Sequence, residues 1–205
     1  MLALGYLTGL VNGPLVAVVG GLALTTFGRS LMMDRAGQAL AVAGLAVIAG
    51  ALGIAALRWG TLELAELRSV QAVLGPTIVV GPQAAAAAAT IATLVASLAL
   101  GLWVAALPTH GFAEWAATSL ETLMVALALV TAFWGPKVLL GSAGVPSSDV
   151  LGSLGSWAAV AAVVTVVGIG GGHLARALPQ PVRTGLMVVA LVGLGVAAGL
   201  IGSTL

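Results

Sequence analysis

Long apolar runs separated by short polar clusters fill the chain from end to end. Runs such as Gln38 to Leu57 and Ala84 to Leu107 are continuous and lack the period-two alternation of a barrel wall, so they predict α-helices. A hydrocarbon core of roughly 30 Å needs about 20 apolar residues per helix. On that ruler spans fall near Leu4–Phe27, Gln38–Leu57, Ala84–Leu107, Trp115–Trp134, Trp157–Ala175 and Gly185–Ile201. The expected fold is an all-α integral membrane protein, a six-helix bundle forming a single polytopic domain over residues 1–205.

The stretch Arg58 to Gln83 breaks the pattern. Leu62, Leu64, Leu67, Val70 and Leu74 interleave with Glu63, Glu66 and Arg68, as in an amphipathic helix lying in the interface. Two Gly-Pro pairs, Gly75-Pro76 and Gly81-Pro82, then bracket four apolar residues. Proline has no amide donor and disfavours helix at the residue before it, so residues 58–83 suit an interfacial, re-entrant or extended segment. If Leu62–Val80 crosses instead, the bundle has seven spans.

Composition agrees with membrane residence. Of 205 residues, 60% are hydrophobic and 6% charged, against about 25% charged in a soluble domain. Thirteen charged side chains cannot wet a globule of this size. Seven basic and six acidic residues give a net charge of +1 with no clustered basic face, which argues against a nucleic-acid partner. Cysteine is absent, which excludes disulfides and thiolate metal sites. The first apolar run has no basic n-region and is expected to be a retained helix rather than a signal peptide. The Ala, Val, Leu and Gly bias suggests a prokaryotic inner membrane.

Trp59, Trp103, Trp115, Trp134 and Trp157 all fall near span ends, as an aromatic belt would place them. With both termini outside, the inner loops collect Arg29, Arg35, Arg176 and Arg183, and the outer loops Arg58, Arg68 and Lys137. Glycine is abundant at 29 residues, and Gly5/Gly9/Gly13, Gly168/Gly172 and Gly195/Gly199 are spaced four apart. Such spacing lets helix backbones approach closely, within a bundle or between copies. The run Ala23-Leu24-Thr25-Thr26-Phe27-Gly28-Arg29 resembles Leu129-Val130-Thr131-Ala132-Phe133-Trp134-Gly135, and Ala-Gly follows each, at Ala36-Gly37 and Ala143-Gly144. Three spans per half would make this a 3+3 inverted repeat, with any site near the midplane.

Polar residues at helix breaks and ends are the candidate chemistry. Asn12 and Pro14 sit mid-span, where a proline frees a carbonyl and an amide side chain can meet it or a passing solute. Pro136 and Lys137 end the fourth span; the lysine can hold an anion or simply snorkel to the interface. Gly170-Gly171-Gly172-His173 leads to Arg176, joining close backbone approach to a titratable ring and a fixed cation; a glycine packing face is the plainer alternative. Glu121 is a carboxylate inside a span, expensive to bury and therefore a functional candidate. Asp34, Glu114 and Asp149 suit loops. The sequence has no paired-histidine metal motif, phosphate loop or nucleophile elbow, so neither an enzyme, a cofactor nor a metal is expected.

Asn12-Gly13-Pro14, the basic stretch Arg29 to Gly37, Pro136-Lys137 and Val192-Gly193-Leu194-Gly195 occur in an order that resembles the LysE/RhtB superfamily of bacterial exporters. That resemblance implies six spans in two halves and export of amino acids or other small solutes. Two features depart from the family pattern: Gly44 to Gly53 contains no acidic residue, and Gly135 stands where asparagine is usual. The expected function is therefore transport or export of a small solute or ion across the lipid bilayer. A non-catalytic subunit of a larger energy-converting or secretion complex is the alternative, in contact with further copies or other membrane subunits. A mid-depth polar cavity between Pro14 and Pro136 would favour transport; a dry, closed bundle would favour the subunit.

Overall fold

The computed structural model describes residues 15–61, 63, 66–67, 70–71, 83–108, 111–134 and 147–204, with no side-chain description for residues 15, 16, 18 and 147–157. Most of these described residues belong to six helices: α1 (Leu15–Ser30), α2 (Arg35–Trp59), α3 (Gln83–Ala106), α4 (Phe112–Phe133), α5 (Ser147–Ala177) and α6 (Gln180–Gly202). Five stretches are long and apolar enough to cross a membrane: α2, α3, α4, residues Ala158–Ala177 of α5, and α6.

Local chemistry sets the helix ends. Asp34 caps α2, its carboxylate accepting from the Gly37 amide at 2.8 Å. Gly60 closes the same helix with φ 69°, a left-handed turn that glycine adopts without penalty. Pro108 follows α3, and Pro179 and Pro181 open α6, where a missing amide costs nothing. α5 starts at Ser147, well before the expected Trp157, and its 31 residues are too long for the hydrocarbon core: about 46 Å at 1.5 Å per residue.

α3 is the central helix, packed against α2, α4, α5 and α6. Its buried side is largely alanine: Ala85, Ala88, Ala89, Ala92, Ala96 and Ala99 all lie in the core. Small side chains bring the neighbouring backbones close, the packing by which helices associate where a bilayer offers no hydrophobic drive. Glycines from the surrounding helices complete the contact. A Cβ on Gly44 of α2 would sit 2.9 Å from the Trp103 Cβ, and one on Gly101 would lie 3.3 Å from the backbone of Gly171. The Gly168/Gly172 pair packs α5 on α3, against Leu100 and Val104, whereas Gly195 and Gly199 on α6 meet nothing within 4 Å.

Helix burial is uneven. Half or more of the apolar windows of α2, α3 and α4 is buried, against 22% for α5 and α6. α3 and α6, which an inverted repeat would make equivalent, therefore occupy different environments. Trp103 corrects an expectation: it is fully buried rather than part of an interfacial belt. Gly44 lets α2 approach the Trp103 Cβ closely, and Thr26 of α1 accepts from the indole Nε1 at 3.3 Å, so the polar edge needs no water. Trp115 and Trp134 are exposed at opposite ends of α4, as belt residues would be.

Within the stretch from Arg58 to Gln83, Leu67 and Gln71 are buried one turn apart. The Leu67 amide donates to the Glu63 carbonyl at 2.9 Å, and residues 66–67 and 70–71 are helical. Gln71 Nε2 donates to the Ala132 carbonyl at 2.8 Å, which ties this segment to the last turn of α4.

Candidate functional site

The turn between α1 and α2, the α3–α4 connection and the α5–α6 turn lie together at one end of the bundle, held by side chains that cross between them. Gln38 Nε2 donates to the carbonyls of Ser30 and Met33, and the Ser30 hydroxyl donates to Phe27, closing the α1–α2 turn. That fixes Arg29, in the last turn of α1, toward α4 rather than toward solvent.

Arg29 is the centre of the strongest polar constellation among the described residues. Its Nη1 is paired with Glu121 Oε2 at 2.5 Å, and its Nη2 donates to Thr118 Oγ1 at 2.6 Å and to the Pro108 carbonyl at 3.1 Å. The two charged side chains are only 18% and 16% exposed. Thr118 and Glu121 are three residues apart and share one face of α4. The Thr118 hydroxyl donates back to the Glu114 carbonyl, which leaves its lone pairs for the guanidinium. Thr122 repeats the device one turn deeper, donating to the Thr118 carbonyl while fully buried. Glu121 lies nine residues into α4, about 13 Å along its axis from Phe112. The constellation thus offers a fixed cation, a carboxylate that can accept a proton, and hydroxyl groups along one helix face.

The sequence candidates separate clearly on this geometry. Glu121 is in the constellation, but its partner Arg29 was expected only as a loop charge. Nothing local could signal a pair 92 positions apart in sequence. Asn12, Pro14, Pro136 and Lys137 lie outside the described residues. His173 is exposed on α5 and joins neither Arg29 nor Arg176 in the hydrogen bonds of this end. The glycines before it pack helices: Gly171 meets Gly101, and Gly172 meets Val104.

Arg176 does something the sequence did not suggest. Its guanidinium donates to the carbonyls of Val104 at 2.9 Å, Leu107 at 3.3 Å and Ala105 at 3.4 Å. It thereby caps the C-terminus of α3, where carbonyls lack helical partners and a cation meets the negative end of the helix dipole. Arg176→Met should lower the thermal stability of the detergent-solubilised protein by about 1–2 kcal/mol, since the carbonyls lose charged donors. A melting curve checks this; an unchanged midpoint would mean that water already satisfies those carbonyls.

No cluster of three or more metal-binding side chains occurs among the described residues. Compared with protein families, characterised proteins and solved structures, the chain matches none.

Proposed function

We propose that this chain is a small multi-pass transporter of the prokaryotic inner membrane, moving a small solute or ion, with Arg29–Glu121 as a latch between α1 and α4. One observation carries the proposal: a largely buried ion pair joins α1, which packs mainly on α2 and α4, to the interior face of α4. Desolvating two charges costs more than their attraction usually returns, so an apolar contact would serve stability as well or better. Retaining the pair makes sense where it has to break. Protonation of Glu121, or an anionic solute competing for Arg29, removes the attraction and frees α1 to move from α4. Such a movement would expose Thr118, Thr26 and the Trp103 indole to solute. The alanine-packed centre around α3 then corresponds to the closed state.

The resemblance to LysE/RhtB exporters makes amino acids the first solutes to test. In proteoliposomes, counterflow of a labelled amino-acid mixture and proton entry reported by an entrapped dye should both exceed empty vesicles. Glu121→Gln should reduce flux at least roughly tenfold, the effect of one charge-assisted contact in the transport cycle. Arg35→Gln, an exposed change at the same end, should leave it intact. Wild-type flux no greater than that of empty vesicles would overturn the proposal.

A specific feature favours the alternative of a non-catalytic subunit in a larger membrane complex. α6 presents Val188, Val189, Val192 and Val196 outward beside the open Gly195 and Gly199, a surface that suits another membrane helix as well as lipid. Extraction in mild detergent separates the two: co-elution with other polypeptides in fixed ratio supports the subunit, while a monomer or homo-oligomer supports the transporter.

A further inference from the structure

We infer that the cleft between α2 and α6 is a binding site for one zwitterionic phospholipid, with its headgroup between Arg183 and Asp34. The site has two connected parts. A cavity of about 100 Å³ at the end of the bundle is lined by Asp34, Gly37, Gln180, Arg183 and Thr184, and closed on the α3 side by Ala105 and Ala106. Below it, a groove of about 360 Å³ runs between the helices, lined by Ala43, Met187, Val188 and Leu191. Ala36, Leu40, Gln180 and Thr184 border both, so polar cavity and apolar groove form one continuous amphipathic cleft.

Its chemistry selects the occupant. Arg183 lines the cavity, its Nε has no hydrogen-bond partner, and its guanidinium is the cation that a phosphate oxygen entering the cavity would meet. Across the cavity, one oxygen of Asp34 accepts from the Gly37 amide, while its other oxygen remains for a cation. A cation and an anion in one pocket match a headgroup that carries both a phosphodiester and an ammonium. The groove walls from Gln180 to Leu191 span twelve residues of α6, about 16 Å from first to last, close to the depth of one hydrocarbon leaflet. Small side chains at Ala36, Ala39 and Ala43 leave the room that an acyl chain fills.

This inference rests on membrane residence but not on transport. The test is native mass spectrometry of the full chain released from detergent, with phosphatidylethanolamine, phosphatidylglycerol or diacylglycerol added in turn. Phosphatidylethanolamine should be retained best and diacylglycerol, which has no phosphate, least. Arg183→Ala should weaken retention roughly tenfold, the loss of one charge-assisted contact. Asp34→Asn keeps an equivalent helix cap and should erase the preference for phosphatidylethanolamine over phosphatidylglycerol. Val188→Trp, on an exposed groove wall, should displace the acyl chain without touching either charge. Equal retention of diacylglycerol and phosphatidylethanolamine would overturn the site, as would unchanged retention in both Arg183→Ala and Val188→Trp. Alkaline washing of the membranes beforehand separates the premises: a chain washed off defeats membrane residence and the site together. If the chain stays in the membrane without headgroup preference, the site alone fails.

Discussion

Glu121→Ala is expected to destabilise the protein more than any other single side-chain truncation at a polar position, by about 2 kcal/mol. The cost comes mainly from the partner left behind. Arg29 would keep Thr118 and the Pro108 carbonyl, but its charge would remain largely enclosed by apolar helices with no counter-ion. A value nearer the fully buried limit is not expected, because both side chains retain some exposure to screen the loss. A double-mutant cycle checks the assignment. Arg29→Met with Glu121→Leu should recover most of the stability lost in either single variant, since removing both charges removes the desolvation cost as well. Additive losses, measured by chemical unfolding in a fixed detergent, would show that the two side chains act independently. The same double variant should be transport-dead despite its recovered fold, which separates the latch from a merely structural pair.

Gly172→Leu is the second large effect, and it acts through backbone distance rather than charge. A Cβ at Gly172 would already lie 2.8 Å from the Cβ of Val104, closer than side chains tolerate. A leucine must push α5 off the central helix, at a cost of about 3 kcal/mol or more once the overpacking spreads to neighbouring turns. Gly170→Leu is the matched control, since nothing lies within 4 Å of a Cβ there. It should be neutral, or slightly stabilising through better helix propensity. Val104→Gly combined with Gly172→Ala should recover part of the melting temperature lost in Gly172→Ala alone, since it removes both the methyl and the Cβ that the new Cβ would meet. If Gly170→Leu and Gly172→Leu melt together, the close α3–α5 approach is not a determinant of stability.

Much of the fold was legible in the sequence because membrane helices are long and lipid leaves their composition no freedom. The continuous run from Gln38 to Leu57 lies wholly within α2, and that from Gly185 to Ile201 within α6. Helix ends were less legible. α5 extends to Ser147, and the expectation missed this because the serines and glycines before Trp157 dilute the hydropathy signal that marks a span without ending the helix. Trp103 misled for a related reason. Its position near a span end suits the interface, and only the close approach of α2 at Gly44, with the Thr26 hydroxyl as acceptor, makes burial cheaper.

The candidate site divides along the same line. Glu121 stood out alone, because a carboxylate in an apolar run is anomalous whatever its surroundings. Arg29 looked ordinary beside Arg35, and both follow the same apolar run. Arg176 was suspected for its charge, yet its three carbonyl partners on α3 make it a helix cap. By itself, the sequence determined that the chain folds as long apolar helices and that its few charges gather at their ends, since hydropathy and length are properties of contiguous residues. Which charges meet, which glycines touch a neighbour and which helix occupies the centre were decided by tertiary structure. Those depend on rotation and register between helices distant in sequence, and a one-residue change turns a side chain by 100° around its helix.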